Sequence, residues 1–322
     1  MRTLLMSFAA IISLLLAPSL CTAAEERERF ISIEGPQGPL KGTMLEPAHQ
    51  QSGAIVLIIP GSGPTDRDGN SPLGVKAATY RLLAEALADR GITSVRIDKR
   101  GMFASATAVS DANQVTIEDY AQDAHSWVKE ARRLTGARCV WLLGHSEGAL
   151  VALAAAQQPE DLCGLILVAG AGRKLSEVLR EQLNANPANA PILPSAMKAI
   201  DELEAGRRVE AAGMHPALLP LFRPAVQGYL IDAFSYDPLS LLEAYPGPVL
   251  VLQGGRDIQV SMADAERLAS ARPEVELVRL EGVNHVLKAA PVDRRANAAT
   301  YADPSLSLAP TVADVITRFV QR

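Results

Sequence analysis

The sequence predicts an α/β fold, a mainly parallel sheet with helices on both faces and an inserted helical cap. Three observations carry this prediction. Short continuous apolar runs alternate with helix-patterned stretches through most of the chain, as expected of parallel strands that are buried on both faces and joined by crossover helices. One such run, 140–143, ends in Gly144, His145, Ser146, Glu147 and Gly148 and passes straight into a small-residue helix pattern. One connection, between Gly170 and about Asp237, is much longer than the others.

The chain has 322 residues, enough for one large α/β domain or two small ones, with 48% hydrophobic residues and few aromatics. Residues 1–24 have the three parts of a secretory signal peptide: Arg2 near the start, an apolar stretch from Leu4 to Leu20, and small residues before Glu25. Cleavage is expected after Ala23 or Ala24. Ser13 and Pro18 interrupt a run already too short for a membrane anchor, and Leu20 before Cys21 weakens a lipoprotein signal. The mature protein is therefore expected to be exported, periplasmic or secreted, with no stable membrane anchor. A formal net charge of −5, with basic residues scattered and no stacking aromatics among them, excludes a nucleic-acid surface. No CxxC pair or Cys/His cluster is present, so no metal site is expected.

The elements read in order as follows. Segments 30–33 and 40–44, separated by Gly35, Pro36, Gln37, Gly38 and Pro39, form an antiparallel hairpin. Strand 54–59 runs into Pro60, Gly61 and Ser62; helix 80–88 leads to strand 92–98, and helix 117–134 to strand 139–143. Strands 165–169, 249–252 and 275–280 follow, with helix 262–271 between the last two. The long connection carries helical patterns at 175–184, 195–205 and 222–234, punctuated by prolines, and is read as a cap over the carboxyl edge of the sheet. The domain reading is a signal peptide at 1–24, the core at 25–170 and 238–322, and the cap at 171–237. Within the cap, 218–222 is the most apolar segment and is expected to face the pocket and shield it from water, the alternative being that it only packs the cap against the main domain. Cys139 and Cys163 begin successive strands and should be neighbours at the amino edge of the sheet, as a disulfide or as two buried thiols.

A serine becomes a useful nucleophile when a tight strand-to-helix turn exposes its hydroxyl beside a base, and Ser146 between Gly144 and Gly148 has that setting. An acid and then a histidine should follow at later strand ends. Asp257 lies just beyond strand 249–252, and His285 just beyond strand 275–280. In this reading His285 takes the Ser146 proton and Asp257 holds the imidazole tautomer.

These residues resemble the α/β-hydrolase superfamily, in particular bacterial serine esterases and serine-aminopeptidase-like hydrolases with a helical cap. The resemblance runs from about residue 27 to the end and rests on the stretches 59–70, 96–101, 144–148, 254–257 and 282–285. It implies an oxyanion hole built from the amide of Ser62, in the loop where many members carry His-Gly, and the amide of Glu147. It also implies hydrolysis of a small-molecule carboxylic ester through an acyl-enzyme intermediate, with no cofactor. The competing readings are a peptidase or amidase using the same triad and a hydrolase-fold binding protein without turnover.

Other residues receive structural readings. His145 adjoins the nucleophile, but the turn directs neighbouring side chains apart, so it is not taken as the base. Asp98, beside Lys99 and Arg100, is read as an ion pair or turn residue, and Asp66, Arg67 and Asp68 as an ordered loop network. Glu147 is read as a carboxylate favoured at a helix N-terminus. His125 and His215 have no partner visible in the sequence.

Overall fold

The apolar runs at 55–59, 140–143, 165–168 and 249–252 each lie within a strand. The computed structural model describes residues 27–49 and 53–322; the expected leader at 1–24 lies outside them. Among the described residues one sheet contains eight strands: β1 (Arg27–Ile33), β2 (Leu40–Glu46), β3 (Ile55–Ile59), β4 (Thr93–Ile97), β5 (Val140–His145), β6 (Leu162–Val168), β7 (Val249–Gly254) and β8 (Glu276–Leu280). Their spatial order is β1-β2-β4-β3-β5-β6-β7-β8. β2 pairs antiparallel with β1 and with β4, and every other pairing is parallel. The chain steps from β3 to β4 on one side and then back to β5 on the other. That reversal opens a crevice at the carboxyl ends of β3 and β5, the place where open α/β sheets bind ligands.

The helices are α1 (Thr79–Ala88), α2 (Ile117–Thr135), α3 (Glu147–Ala155), α4 (Leu175–Asn184), α5 (Leu193–Glu204), α6 (Leu219–Phe222), α7 (Pro224–Ser235), α8 (Pro238–Ala244), α9 (Met262–Ser270), α10 (Arg294–Ala299) and α11 (Pro310–Val320). Because side chains alternate across a strand, each buried strand feeds two cores. Ile55, Leu57 and Ile59 of β3 pack in the core that holds α2 and α3, while Val56 and Ile58 point into the one that holds α1 and α11. The long helix α2 is bounded by local chemistry: Thr116 and Asp119 form a capping box at its start, and Gly136 ends it at φ 73°.

Several boundaries differ from expectation for identifiable reasons. β1 begins at Arg27, earlier than the apolar residues suggest, because it is an exposed edge strand whose charged residues still pair with β2. α5 begins at Leu193 with Pro194 inside its first turn, and Pro224 starts α7, both positions where proline loses no helix bond. α8, α10 and α11 were not anticipated. α11 places Val312, Ile316 and Phe319 in the core. Cys139 and Cys163 are joined as a disulfide with their Cα atoms 5.1 Å apart, tying the amino ends of β5 and β6 together.

The segment from α4 to α7 has a small core of its own, built on Leu183, Ile200, Leu203, Leu218, Phe222 and Phe234. This corrects the expectation for 218–222. Leu218 and Phe222 are fully buried inside the cap, so the segment holds the cap together rather than facing the pocket.

Candidate active site

Ser146 sits between β5 and α3 with φ 56° and ψ −121°, a conformation that an L-residue adopts only when its surroundings impose it. Close packing imposes it here. A Cβ on Gly144 would lie 2.1 Å from the Gly148 carbonyl oxygen, and one on Gly148 would lie 2.3 Å from the Ile59 carbonyl oxygen, so both positions must be glycine. The Ser146 amide donates to the Val168 carbonyl at 2.9 Å, which anchors the turn to β6.

Asp257 follows β7 and His285 follows β8, and the fold brings the two together: His285 Nδ1 lies 2.8 Å from Asp257 Oδ2. The aspartate is buried and accepts three further bonds, from the Gln259 amide at 2.8 Å, the Val260 amide at 3.0 Å and Gln253 Nε2 at 3.1 Å. Burial alone would raise its pKa. The charge and hydrogen bond of His285, together with the two amides, outweigh burial and hold the carboxyl below its usual range. An ionised Asp257 fixes the proton of His285 on Nδ1, leaving Nε2 as the nitrogen able to accept another. The histidine loop is clamped by Asn284, whose Nδ2 donates to Asn297 Oδ1 and Thr300 Oγ1 and whose Oδ1 accepts from the Lys288 amide. Asn297 Nδ2 in turn donates to the Arg256 carbonyl, tying the histidine loop to the aspartate loop.

The loop after β3 carries Ser62, which lines the same cavity as Ser146 and His285. Its neighbour Gly61 is not free to serve as a donor, because the Gly61 amide donates to Tyr80 Oη at 2.9 Å. The amides of Ser62 and Glu147 have no carbonyl partner among the described residues, and Glu147 opens α3, where the helix dipole also favours negative charge. Tyr80 Oη continues to His145 Nδ1 at 2.9 Å, and His145 Nε2 meets the His285 carbonyl at 2.8 Å. Only one arrangement of protons satisfies this chain. The tyrosine donates to Nδ1, and Nε2–H donates to the carbonyl. Burial and the neighbouring His285 depress the His145 pKa to about 3, so the ring stays neutral and acts as a strut between two loops.

Two cavities meet at Ser146. One of about 190 Å³ lies on the side of His285, Tyr80 and Tyr301. The other, of about 120 Å³, lies under the cap between Leu150, Leu175, Val178, Pro238 and Val260. It is α4, not the 218–222 segment, that covers this second cavity. A larger open groove of about 880 Å³ lies at the opposite edge of the sheet, beside Trp141 and the disulfide, and its lining has no serine or histidine.

The remaining candidates have structural roles. Asp98 pairs with Arg67, Nη2 to Oδ2 at 2.6 Å, rather than with its sequence neighbours. Lys99 reaches Glu147 instead, and Arg100 reaches Asp119 and Asp123. Asp66 accepts the Asp68 and Asn70 amides, and Asp68 pairs with Arg96, so 66–68 is an ordered network. His125 bonds the Ala155 carbonyl, and His215 accepts the Ala217 amide. Among the described residues no group of three or more His, Cys, Asp or Glu could hold a metal, and no helix is long and apolar enough to cross a membrane.

Sequence reasoning did not find Tyr80, Lys99, Gln253, Asn284 or Asn297. Lys99 and Asn284 lie inside stretches that the sequence singles out, and Gln253 lies four residues before Asp257, but what each side chain bonds to is not written in the spacing.

The chain is similar to known proteins in sequence and in fold. The sequence model of a family described as serine aminopeptidase, S33, matches residues 73–217. Esterase EstD of Thermotoga maritima is 27% identical over 264 residues, covering 81% of this chain; the chain spans 60% of that relative's length. Among solved structures, Est1E from Butyrivibrio proteoclasticus aligns with a TM-score of 0.56 at 15% identity, covering 91% of this chain and 99% of that one. A thermophilic esterase from Thermogutta terrifontis aligns with a TM-score of 0.55 at 20% identity, covering 91% and 100%. At such identities the structures establish a shared fold.

Proposed function

We propose that this chain, which has the α/β-hydrolase fold, is a serine hydrolase that cleaves carboxylic esters through an acyl-enzyme intermediate. The observation that carries the reading is the His285–Asp257 contact of 2.8 Å facing a cavity shared with a serine held at φ 56°. His285 Nε2 takes the proton as Ser146 Oγ attacks the ester carbonyl, and Asp257 stabilises the imidazolium that forms. The amides of Ser62 and Glu147 receive the negative charge on the carbonyl oxygen. The imidazolium then protonates the departing alcohol, and water repeats the sequence to release the acid. The resemblance to esterase EstD supports an ester as substrate.

The family description favours a second reading, an aminopeptidase. The same groups would then have to protonate an amine leaving group, and activity would depend on a free substrate amino terminus. We further propose that the protein is exported after cleavage of its N-terminal leader, a reading supported by the Cys139–Cys163 bridge, since disulfides persist in oxidising compartments. Purified protein and Ser146→Ala should be assayed on ester, thioester and aminoacyl-amide panels. Ester turnover that is lost in Ser146→Ala supports the esterase, and turnover of amides alone supports the peptidase. Absence of both turnover and labelling by a serine-reactive phosphonate points to a binding protein.

A further inference from the structure

Lys99 has no place in the scheme above, yet it lies directly behind it. We infer that Lys99 is a positioning residue of the oxyanion site, holding the Gly61 carbonyl and the Glu147 carboxylate so as to aim and polarise the Ser62 and Glu147 amides. The inference rests on the esterase reading. Its geometry begins with the peptide bond between Gly61 and Ser62. No cis peptide occurs among the described residues, so the Gly61 carbonyl and the Ser62 N–H point in opposite directions from one rigid plane. Lys99 Nζ donates to that carbonyl at 2.7 Å, which turns the N–H the other way, toward the side where Ser62 and Ser146 line common cavities. The preceding peptide is held as well, by the bond from the Gly61 amide to Tyr80 Oη. With both of its flanking peptides held, the loop cannot rotate the Ser62 donor away without breaking a buried bond.

The same ammonium lies 3.4 Å from Glu147 Oε1, on the residue that supplies the second amide, and 5.3 Å from the centre of the Tyr120 ring. Both charged side chains are almost fully buried, at 2% and 4% exposure. A buried ion pair of this kind adds little net stability over well-packed apolar residues, so stability alone does not account for placing a lysine there. Orientation does account for it. A cation on the carbonyl oxygen also draws electron density through the amide, which makes the Ser62 N–H a stronger donor when charge develops in front of it.

The test compares wild type with Lys99→Met and with the neutral pair Lys99→Met/Glu147→Gln, which leaves no unpaired carboxylate buried should the single variant fold poorly. Two quantities are read on proteins of matching circular dichroism: steady-state kinetics on a short-chain ester, and inhibition by a trifluoromethyl ketone. Ser146 Oγ adds to the ketone carbon, His285 takes the proton, and the ketone oxygen becomes an oxyanion in the proposed hole. The expected result is a fall in kcat of about 10- to 100-fold with KM nearly unchanged, and a matching loss of ketone affinity. Unchanged kcat, or a loss of kcat without loss of ketone affinity, overturns the inference. A wild type that neither hydrolyses esters nor binds the ketone removes the esterase reading itself, and this inference with it.

Discussion

Asp257 and His145 show how burial is used in opposite ways within one site. Asp257 is buried but ringed by donors, so it stays charged; His145 is buried beside another histidine, so it stays neutral. Replacing Asp257 by Asn preserves shape and removes the charge that fixes the His285 proton on Nδ1. Ester turnover should fall by about 10⁴-fold, with an unaltered far-ultraviolet spectrum. A variant that retains most of its turnover would remove Asp257 from the mechanism. The depressed pKa of His145 has a separate consequence for stability. The unfolded chain takes up a proton at this ring near its ordinary value of 6.5, whereas the folded one does so only near 3. The contribution of this ring to stability is therefore full well above pH 6.5 and is lost progressively as pH falls toward 3. The Asp257 contribution is lost only below the ordinary carboxylate value of 3.8, so it leaves the window between about pH 7 and pH 5 to the histidine. Urea unfolding at those two pH values should show a smaller difference for His145→Gln than for wild type. Equal differences would mean that the ring titrates normally in the folded state.

At the scale of elements, the bridge between the amino ends of β5 and β6 closes a loop with a sequence separation of 24 at the edge of the sheet away from Ser146. Closing such a loop constrains the unfolded chain by about 3 kcal/mol. Replacing both cysteines with serine should lower unfolding free energy by roughly that amount and leave ester turnover at moderate temperature unchanged. Loss of activity in a folded double variant would show that the bridge reaches the site. Placing Cys139 and Cys163 together needed only the order of two strands and a crossover, and β3, β5, β6 and β7 were legible because strands covered on both faces read as largely apolar runs; β4, with Thr93, Ser94 and Arg96, is buried without being one. α8 and α10 were not legible, because helices of seven and six residues carry little periodic signal; α11 was missed although Val312, Ile316 and Phe319 recur at helical spacing. The site divided along a similar line. Ser146, Asp257 and His285 stand at strand ends in an order that can be read along the chain. Tyr80, Lys99 and Asn284 are known by their partners, which are contacts in space rather than spacings in sequence.

For the whole molecule, the relevant fact is how the cap meets the sheet. The 218–222 segment was expected to line the pocket because it is the most apolar part of the cap, but apolarity alone does not say which of two surfaces a side chain covers. The fold puts Phe222 into the core of the cap and leaves Leu175 and Val178 of α4, with Leu150 and Val260 of the main body, around the cavity of about 120 Å³ beside Ser146. Two substitutions that both shorten an apolar side chain in the cap should therefore behave differently. Phe222→Ala removes a fully buried aromatic ring and should destabilise the cap by about 3–5 kcal/mol, with the acyl-length preference of the folded enzyme unchanged. Val178→Ala enlarges the cavity and should move the preference toward longer acyl chains at a smaller cost in stability. Wild type, with so confined a cavity, should turn over acetyl and butyryl esters faster than long-chain ones. The check is kcat/KM across a p-nitrophenyl ester series for the three proteins, together with their thermal midpoints. A wild-type profile that peaks at long chains, or a Phe222→Ala profile that shifts while Val178→Ala does not, would show that the acyl group binds elsewhere than under α4.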